Sequence, residues 1–246
     1  MDARVGSYLV SVPLPFQLCP VPDADKALVI VETRPTFFLP HVVATAVRTH
    51  PDWQLYVFGT PEVHDLLNTH CKNYASAARQ ITLNTGRYAT TRQYSEFLTS
   101  AQFWDCVQAE HVLVFQSDCV LVRPTPPEML QYDFVGAVCG RLHPAHFHIN
   151  GGLSLRRRSS MVRAIQALRT SFSHVDPHPE DVAFVDILRR TGGRLPTMDV
   201  CDAFAIESRG DPDTAVGMHG TDKYYAPADL VARLLLTRPR TEPAQT

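Results

Sequence analysis

Asp118 lies in the run Val112-Leu-Val-Phe-Gln-Ser-Asp-Cys-Val-Leu-Val122, a lone carboxylate between two apolar stretches. Burying it unpaired costs several kcal/mol, so either a hydrogen-bonded turn or a divalent metal must compensate it. Gln116 stands two residues earlier, and in extended chain positions i and i+2 share a face, so both side chains can address one ligand. Glu180 and Asp181 open a helix behind His178-Pro179, where the helix dipole favours acids. Asn150-Gly151-Gly152 precedes an apolar strand, and paired glycines either make a turn or let backbone approach a ligand closely. His219 and Lys223 share the segment Val216-Gly-Met-His-Gly-Thr-Asp-Lys223, as a loop imidazole followed by a lysine. Arg156 to Arg158 form a basic run that can meet phosphate or a solvated edge. His143, His146 and His148 surround Pro144 in what reads as an irregular acceptor-binding loop, with zinc binding as the alternative.

Alternating strand and helix signals must position these residues. Ala27–Glu32 (ALVIVE), Gln54–Phe58 (QLYVF) and His111–Phe115 (HVLVF) are continuous apolar runs of the kind buried in a parallel sheet, with Gln80–Leu83 as a shorter strand. Helices are expected over Pro40–Thr49, from Pro61 to about His70, over Thr91–Val107, from Ser160 to about Thr170 with Ser159 as its cap, and over Glu180–Arg190 with Val182, Phe184 or Val185, and Leu188 as its apolar stripe. Phe134–Val138 and Leu153–Arg156 read as short strands. The order is that of an open, doubly wound sheet, which binds ligands at the carboxyl ends of its strands. Thr33 and Arg34 follow the first such strand, and Tyr94 lies on the helix before the Asp118 strand.

The 246 residues are 45% apolar, which suits one domain over 26–236, preceded by a proline-bearing arm over 1–25 and followed by a polar tail over 237–246. A formal net charge of -2 provides no overall positive field for nucleic acid. No stretch approaches the roughly 20 apolar residues of a membrane helix, and Met1 to Leu18 lacks the pattern of a signal peptide. The six cysteines show no CxxC pair and read as reduced packing residues, so a cytoplasmic setting is expected.

In order along the chain, Glu32-Thr33-Arg34, Gln116-Ser117-Asp118, Asn150 to Arg156, Glu180-Asp181-Val182 and His219 resemble the motifs of a group of small glycosyltransferase-like proteins within the GT-A superfamily. Its acidic turn here has a Gln-x-Asp form in place of Asp-x-Asp. The resemblance implies a single GT-A-like (Rossmann-like) α/β domain with a mixed, mostly parallel sheet flanked by helices. It implies a metal-dependent and inverting glycosyltransferase that takes a nucleotide-sugar donor, a UDP-sugar first among them, and a glycan or other hydroxyl acceptor. Asp118 and His219 then hold Mn2+ (or Mg2+), and Gln116 contacts the ribose. Asp181 is the catalytic base, with Glu180 second. Thr33, Arg34, Tyr94, Ser117, Asn150, Gly151, Gly152 and Lys223 lie on the donor side. Two alternatives remain open: a catalytically silent nucleotide- or glycan-binding module, and a metal-dependent hydrolase built on His143, His146 and His148.

Overall fold

The computed structural model describes residues 3–21, 24–84, 90–143, 146–221 and 228–236. Its centre is a six-stranded sheet. β1 (Lys26–Glu32), β2 (Gln54–Gly59), β3 (Arg79–Thr82) and β4 (His111–Phe115) run parallel, and β5 (Phe134–His143) and β6 (His146–Arg157) pair antiparallel to each other. The spatial order is β3-β2-β1-β4-β6-β5, with β6 antiparallel to β4. The fold is therefore α/β with a mixed, mostly parallel sheet flanked by helices.

The continuous apolar runs follow from burial on both faces. Leu28 and Ile30 of β1 and Leu113 and Phe115 of β4 pack on one side, under helices Leu39–Thr49 and Pro61–His70. Ala27, Val29, Val112 and Val114 point to the other side, against Phe97, Trp104, Ile165 and Phe184 from the helices there. Alternate residues thus serve two cores, and no polar face exists to break the run. The N-terminal arm carries a helix, Ala3–Val10, that buries Val5 and Leu9, and a short strand, Phe16–Gln17, that pairs with Cys71–Lys72. No described helix is long and apolar enough to cross a membrane.

Several local expectations are corrected. The single helix expected over Thr91–Val107 is two, Thr91–Leu98 and Ala101–Cys106, because the Ser100 hydroxyl accepts the Phe103 N–H at 3.3 Å and caps a new start. Ser159 does not cap the helix Arg158–Arg169, since its hydroxyl donates to Glu110. Val182 is 38% exposed, and the buried apolar residues of helix Glu180–Thr191 are Ala183, Phe184, Val185, Ile187 and Leu188. The short strands expected near 134 and 153 are long, so Gly151 and Gly152 lie within β6 rather than in a turn, and His146 and His148 lie on a strand rather than in an irregular loop. A further helix, Ala228–Leu236, comes without a sequence expectation, and the tail over 237–246 lies outside the described residues.

Gly192 ends helix Glu180–Thr191 at φ 76°, with nothing within 4 Å of where a Cβ would stand. Gly192→Ala is therefore a purely conformational change, expected to lower stability by about 1–2 kcal/mol in urea denaturation.

Candidate functional site

β1 and β4 are neighbours whose connections leave in opposite directions, so a crevice opens between their carboxyl ends. Glu32 ends β1, and the Gln116-Ser117-Asp118 turn follows β4. The Glu32 carboxylate is buried. It accepts the N–H groups of Thr33 and Arg34 at 2.9 Å each, Nε and Nη2 of Arg34 at 2.9 and 3.0 Å, and the Ser117 hydroxyl. Burial pushes its pKa up, but the Arg34 and Ser117 hydrogen bonds outweigh this and hold it below the ordinary glutamate value. Glu32 thus ties the ends of β1 and β4 together and fixes Arg34 at the mouth of the crevice, although the Arg34 side chain is 72% exposed.

A second, three-stranded sheet completes the site. Val120–Leu121 pairs antiparallel with Gly217–Met218, which pairs parallel with Ala205–Ile206. Glu207 and His219 therefore leave parallel neighbours side by side, opposite Asp118. The His219 ring is 3% exposed. Its Nε2 lies 3.1 Å from Gln116 Oε1 and 3.5 Å from Asp118 Oδ1, and its Nδ1 lies 3.5 Å from Glu207 Oε1. Thr221 braces the turn, donating from N and Oγ1 to the Asp118 carbonyl at 3.1 and 2.9 Å.

β6 supplies the third wall. Its pairing of Leu153 with Phe115 sets Asn150–Gly152 against the Gln116–Asp118 turn. A Cβ on Gly152 would stand 2.1 Å from His219 Nε2, so only glycine admits the ring. Asn150 accepts the Gly152 N–H at 2.7 Å and donates to Glu207 Oε1 at 3.4 Å. Asp181 accepts the N–H of Gly151 at 2.9 Å and of Val182 at 2.8 Å. Burial, and then the Glu180 charge, push the Asp181 pKa above the ordinary aspartate value despite these two donors.

A model of a family described as a protein of unknown function (DUF5672) matches residues 78–219. The chain belongs to this family. The DUF5672 span contains the Gln116–Asp118 turn, Asn150–Gly152, Glu180, Asp181, Glu207 and His219, while the Glu32–Arg34 corner precedes it. No curated protein matches. Among solved structures, the chain is similar to the apo-form glycosyltransferase GlyE of Streptococcus pneumoniae TIGR4, with 11% identity, 83% of this chain and 55% of that chain covered, and a TM-score of 0.48. A second GlyE structure from the same organism gives 12% identity, 68% and 43% coverage, and a TM-score of 0.39. The chain spans about half the length of these solved structures.

Within this DUF5672 site, the arginine run is corrected. Arg156 is fully buried and meets neither phosphate nor solvent: it donates to Glu180 Oε1 and the Gly151 carbonyl at 3.0 Å each, and lies over the Phe134 ring at 4.9 Å. Glu180 also accepts the Ser95 hydroxyl at 3.2 Å, so its carboxylate is committed to this internal network beside Asp181. Arg157 and Arg158 sit at the opposite end of β6, donating to the carbonyls of Leu130 and Trp104. The Tyr94 hydroxyl is buried, and burial followed by the Glu180 charge pushes its pKa up. Lys223 and the side chains of His143 and His146 lie outside the described residues, and His148 is exposed opposite Cys139. Among the described residues no group of three or more His, Cys, Asp or Glu is arranged to hold a metal, and Asp118 Oδ1 stands 3.5 Å from His219 Nε2. Glu32 and Glu207 go beyond the expected site. Glu32 stands in the sequence only as the first residue of the Glu32-Thr33-Arg34 motif, with no role of its own, and Glu207, in Ala205-Ile-Glu-Ser, carries no sequence signal.

Removing Arg156 strands Glu180 in the core. Arg156→Ala is expected to cost about 3–5 kcal/mol by chemical denaturation, as for one partner of a buried ion pair.

Proposed function

We propose that this chain is a glycosyltransferase that moves a sugar from a nucleotide-diphosphate donor to an acceptor hydroxyl, with a divalent cation and with inversion at the anomeric carbon. The observation that carries this reading is the convergence, beside the crevice between β1 and β4, of the Gln116–Asp118 turn, His219, the Asn150–Gly152 backbone and Asp181.

Each group has a role on this reading. Arg34, fixed by Glu32, and Ser117 face the nucleotide end of the crevice, where a guanidinium and a hydroxyl suit ribose and phosphate oxygens. Gln116 offers an amide to a ribose hydroxyl. Asp118 Oδ1 and His219 Nε2, 3.5 Å apart, suit Mn2+ or Mg2+, whose remaining positions water and donor phosphate can fill. When bound, the cation supplies Lewis-acid neutralisation of the leaving diphosphate. Asp181 accepts the proton of the acceptor hydroxyl as its oxygen bonds to the anomeric carbon and the bond from that carbon to the diphosphate oxygen breaks. A carboxylate whose pKa is raised is a stronger base than an ordinary aspartate once ionised. Glu180 helps to raise it and stays on Arg156.

A panel of nucleotide-sugars, UDP-sugars included, is expected to contain one that stabilises the protein with Mn2+ present, by about 2.7 kcal/mol at a hundredfold excess over Kd. Asp118→Ala should abolish that Mn2+-dependent shift. Stabilisation with neither transfer nor hydrolysis would instead favour a silent binding module, and product with the donor's anomeric configuration by NMR would rule out inversion.

Asp181 makes a second test with a definite sign. Because its folded pKa is raised, native protein holds this proton more tightly than the unfolded chain, so ionised Asp181 detracts from stability once the pH rises past the ordinary aspartate value. Asp181→Asn is expected to lower transfer about 10²–10⁴-fold, and its Tm relative to wild type should rise as the pH passes above the ordinary aspartate value, because only the wild type then gains the disfavoured charge. Wild-type transfer should fall off on the acid side at a higher pH than an unperturbed aspartate would give, as read from the rate profile.

A further inference from the structure

Glu207 has no part in the reaction as described, yet it lies at the centre of the site. Its side chain is buried, at 6% exposure, and among the described residues its Oε2 has no hydrogen-bond partner. His219 Nδ1, 3.5 Å from Glu207 Oε1, is likewise buried without a hydrogen bond. The buried Glu207 carboxylate, with acceptor capacity beyond its one long Asn150 contact, and the unpaired Nδ1 beside its Oε1 are costly apart and compatible together. A shift of about 0.5 Å would bring them to ordinary hydrogen-bond length, with Nδ1–H donating to the carboxylate.

The opposite edge of the ring sets the consequence. Nε2 faces Gln116 Oε1 at 3.1 Å and Asp118 Oδ1 at 3.5 Å. A neutral imidazole carries one proton, so two tautomers compete. With the proton on Nε2 the ring donates to Gln116, and its lone pair points at Glu207. With the proton on Nδ1 the ring donates to Glu207, and the Nε2 lone pair points toward Asp118. Gln116 tolerates the second state because its amide can turn and offer an N–H to Nε2, which an aspartate at that position could not do. Asn150, bridging the Gly152 N–H and Glu207 Oε1, keeps the carboxylate beside the ring.

We propose that Glu207 is a positioning residue that holds His219 in the Nδ1–H tautomer and so leaves Nε2 available beside Asp118. The value of that tautomer to the reaction rests on the reading of Asp118 and His219 as a cation pair; the tautomer itself does not. A buried carboxylate behind an imidazole donor fixes ring orientation and raises ligand basicity.

The test is nitrogen-15 NMR of the metal-free full chain labelled at histidine, with His219→Gln identifying the resonances. The expected wild-type result is a protonated Nδ1 and an unprotonated Nε2. Glu207→Leu should move the proton to Nε2, whereas Glu207→Gln, which keeps an acceptor oxygen, should leave it on Nδ1. A wild-type ring protonated at Nε2 overturns the proposal without recourse to any Glu207 variant, and so does a Glu207→Leu protein that keeps the proton on Nδ1. Mn2+ binding with UDP present, followed by electron paramagnetic resonance, is expected to weaken about 10–100-fold in Glu207→Leu. Wild-type protein that shows the Nδ1–H tautomer but binds no Mn2+ with UDP supports the Glu207 assignment and overturns the cation reading alone.

Discussion

The arrangement of this site is governed by the cost of placing carboxylates at the carboxyl edge of a sheet, where water is largely excluded. Glu32, Asp118, Glu180, Asp181 and Glu207 all converge there, and each meets the cost differently. Glu32 gathers backbone N–H groups, Arg34 and Ser117. Glu180 takes the fully buried Arg156. Asp181 takes two backbone N–H groups, whereas Asp118 and Glu207 flank the single ring of His219. Glu32 and Glu180, tied to arginines, hold the walls together, while Asp118, Asp181 and Glu207 line the space beside His219 and Asn150–Gly152.

Packing and charge act together here. Arg156 is held by aromatic rings on one side and by Glu180 and the Gly151 carbonyl on the other, so the same side chain anchors β6 and the start of helix Glu180–Thr191. That anchoring brings Asp181 onto the Gly151 N–H, and the bare backbone at Gly152 lets the His219 ring lie against β6. A change in any one of these groups is therefore felt by the others, because close-packed walls shift together.

Most of the sheet was legible along the chain. Ala27–Glu32, Gln54–Phe58 and His111–Phe115 are apolar without interruption because both faces of each strand are buried, and that pattern identifies central parallel strands from composition alone. Helix Pro61–His70 was equally clear, since Pro61 fits the first helical position. The break at Thr99-Ser100 and the length of β5 and β6 were not. A serine cap competes with a continuing helix on nearly equal terms, and paired glycines read the same way in a turn as in a strand beside a ring.

For the site, the sequence determined the chemical types: an acidic turn after an apolar strand, a glycine pair beside apolar strand residues, acids opening a helix and a histidine in a late segment. Those choices are local, written in adjacent residues by propensity and burial. Only the tertiary structure decided which acids share the crevice and which are spent on the core. Arg156 and Arg157 are neighbours of one type, yet one is buried on Glu180 and the other reaches Leu130 at the far end, because alternate strand residues face opposite ways. Glu207 meets His219 only because two short strands twelve residues apart in the chain pair in parallel, a long-range hydrogen-bonding choice that no local pattern encodes.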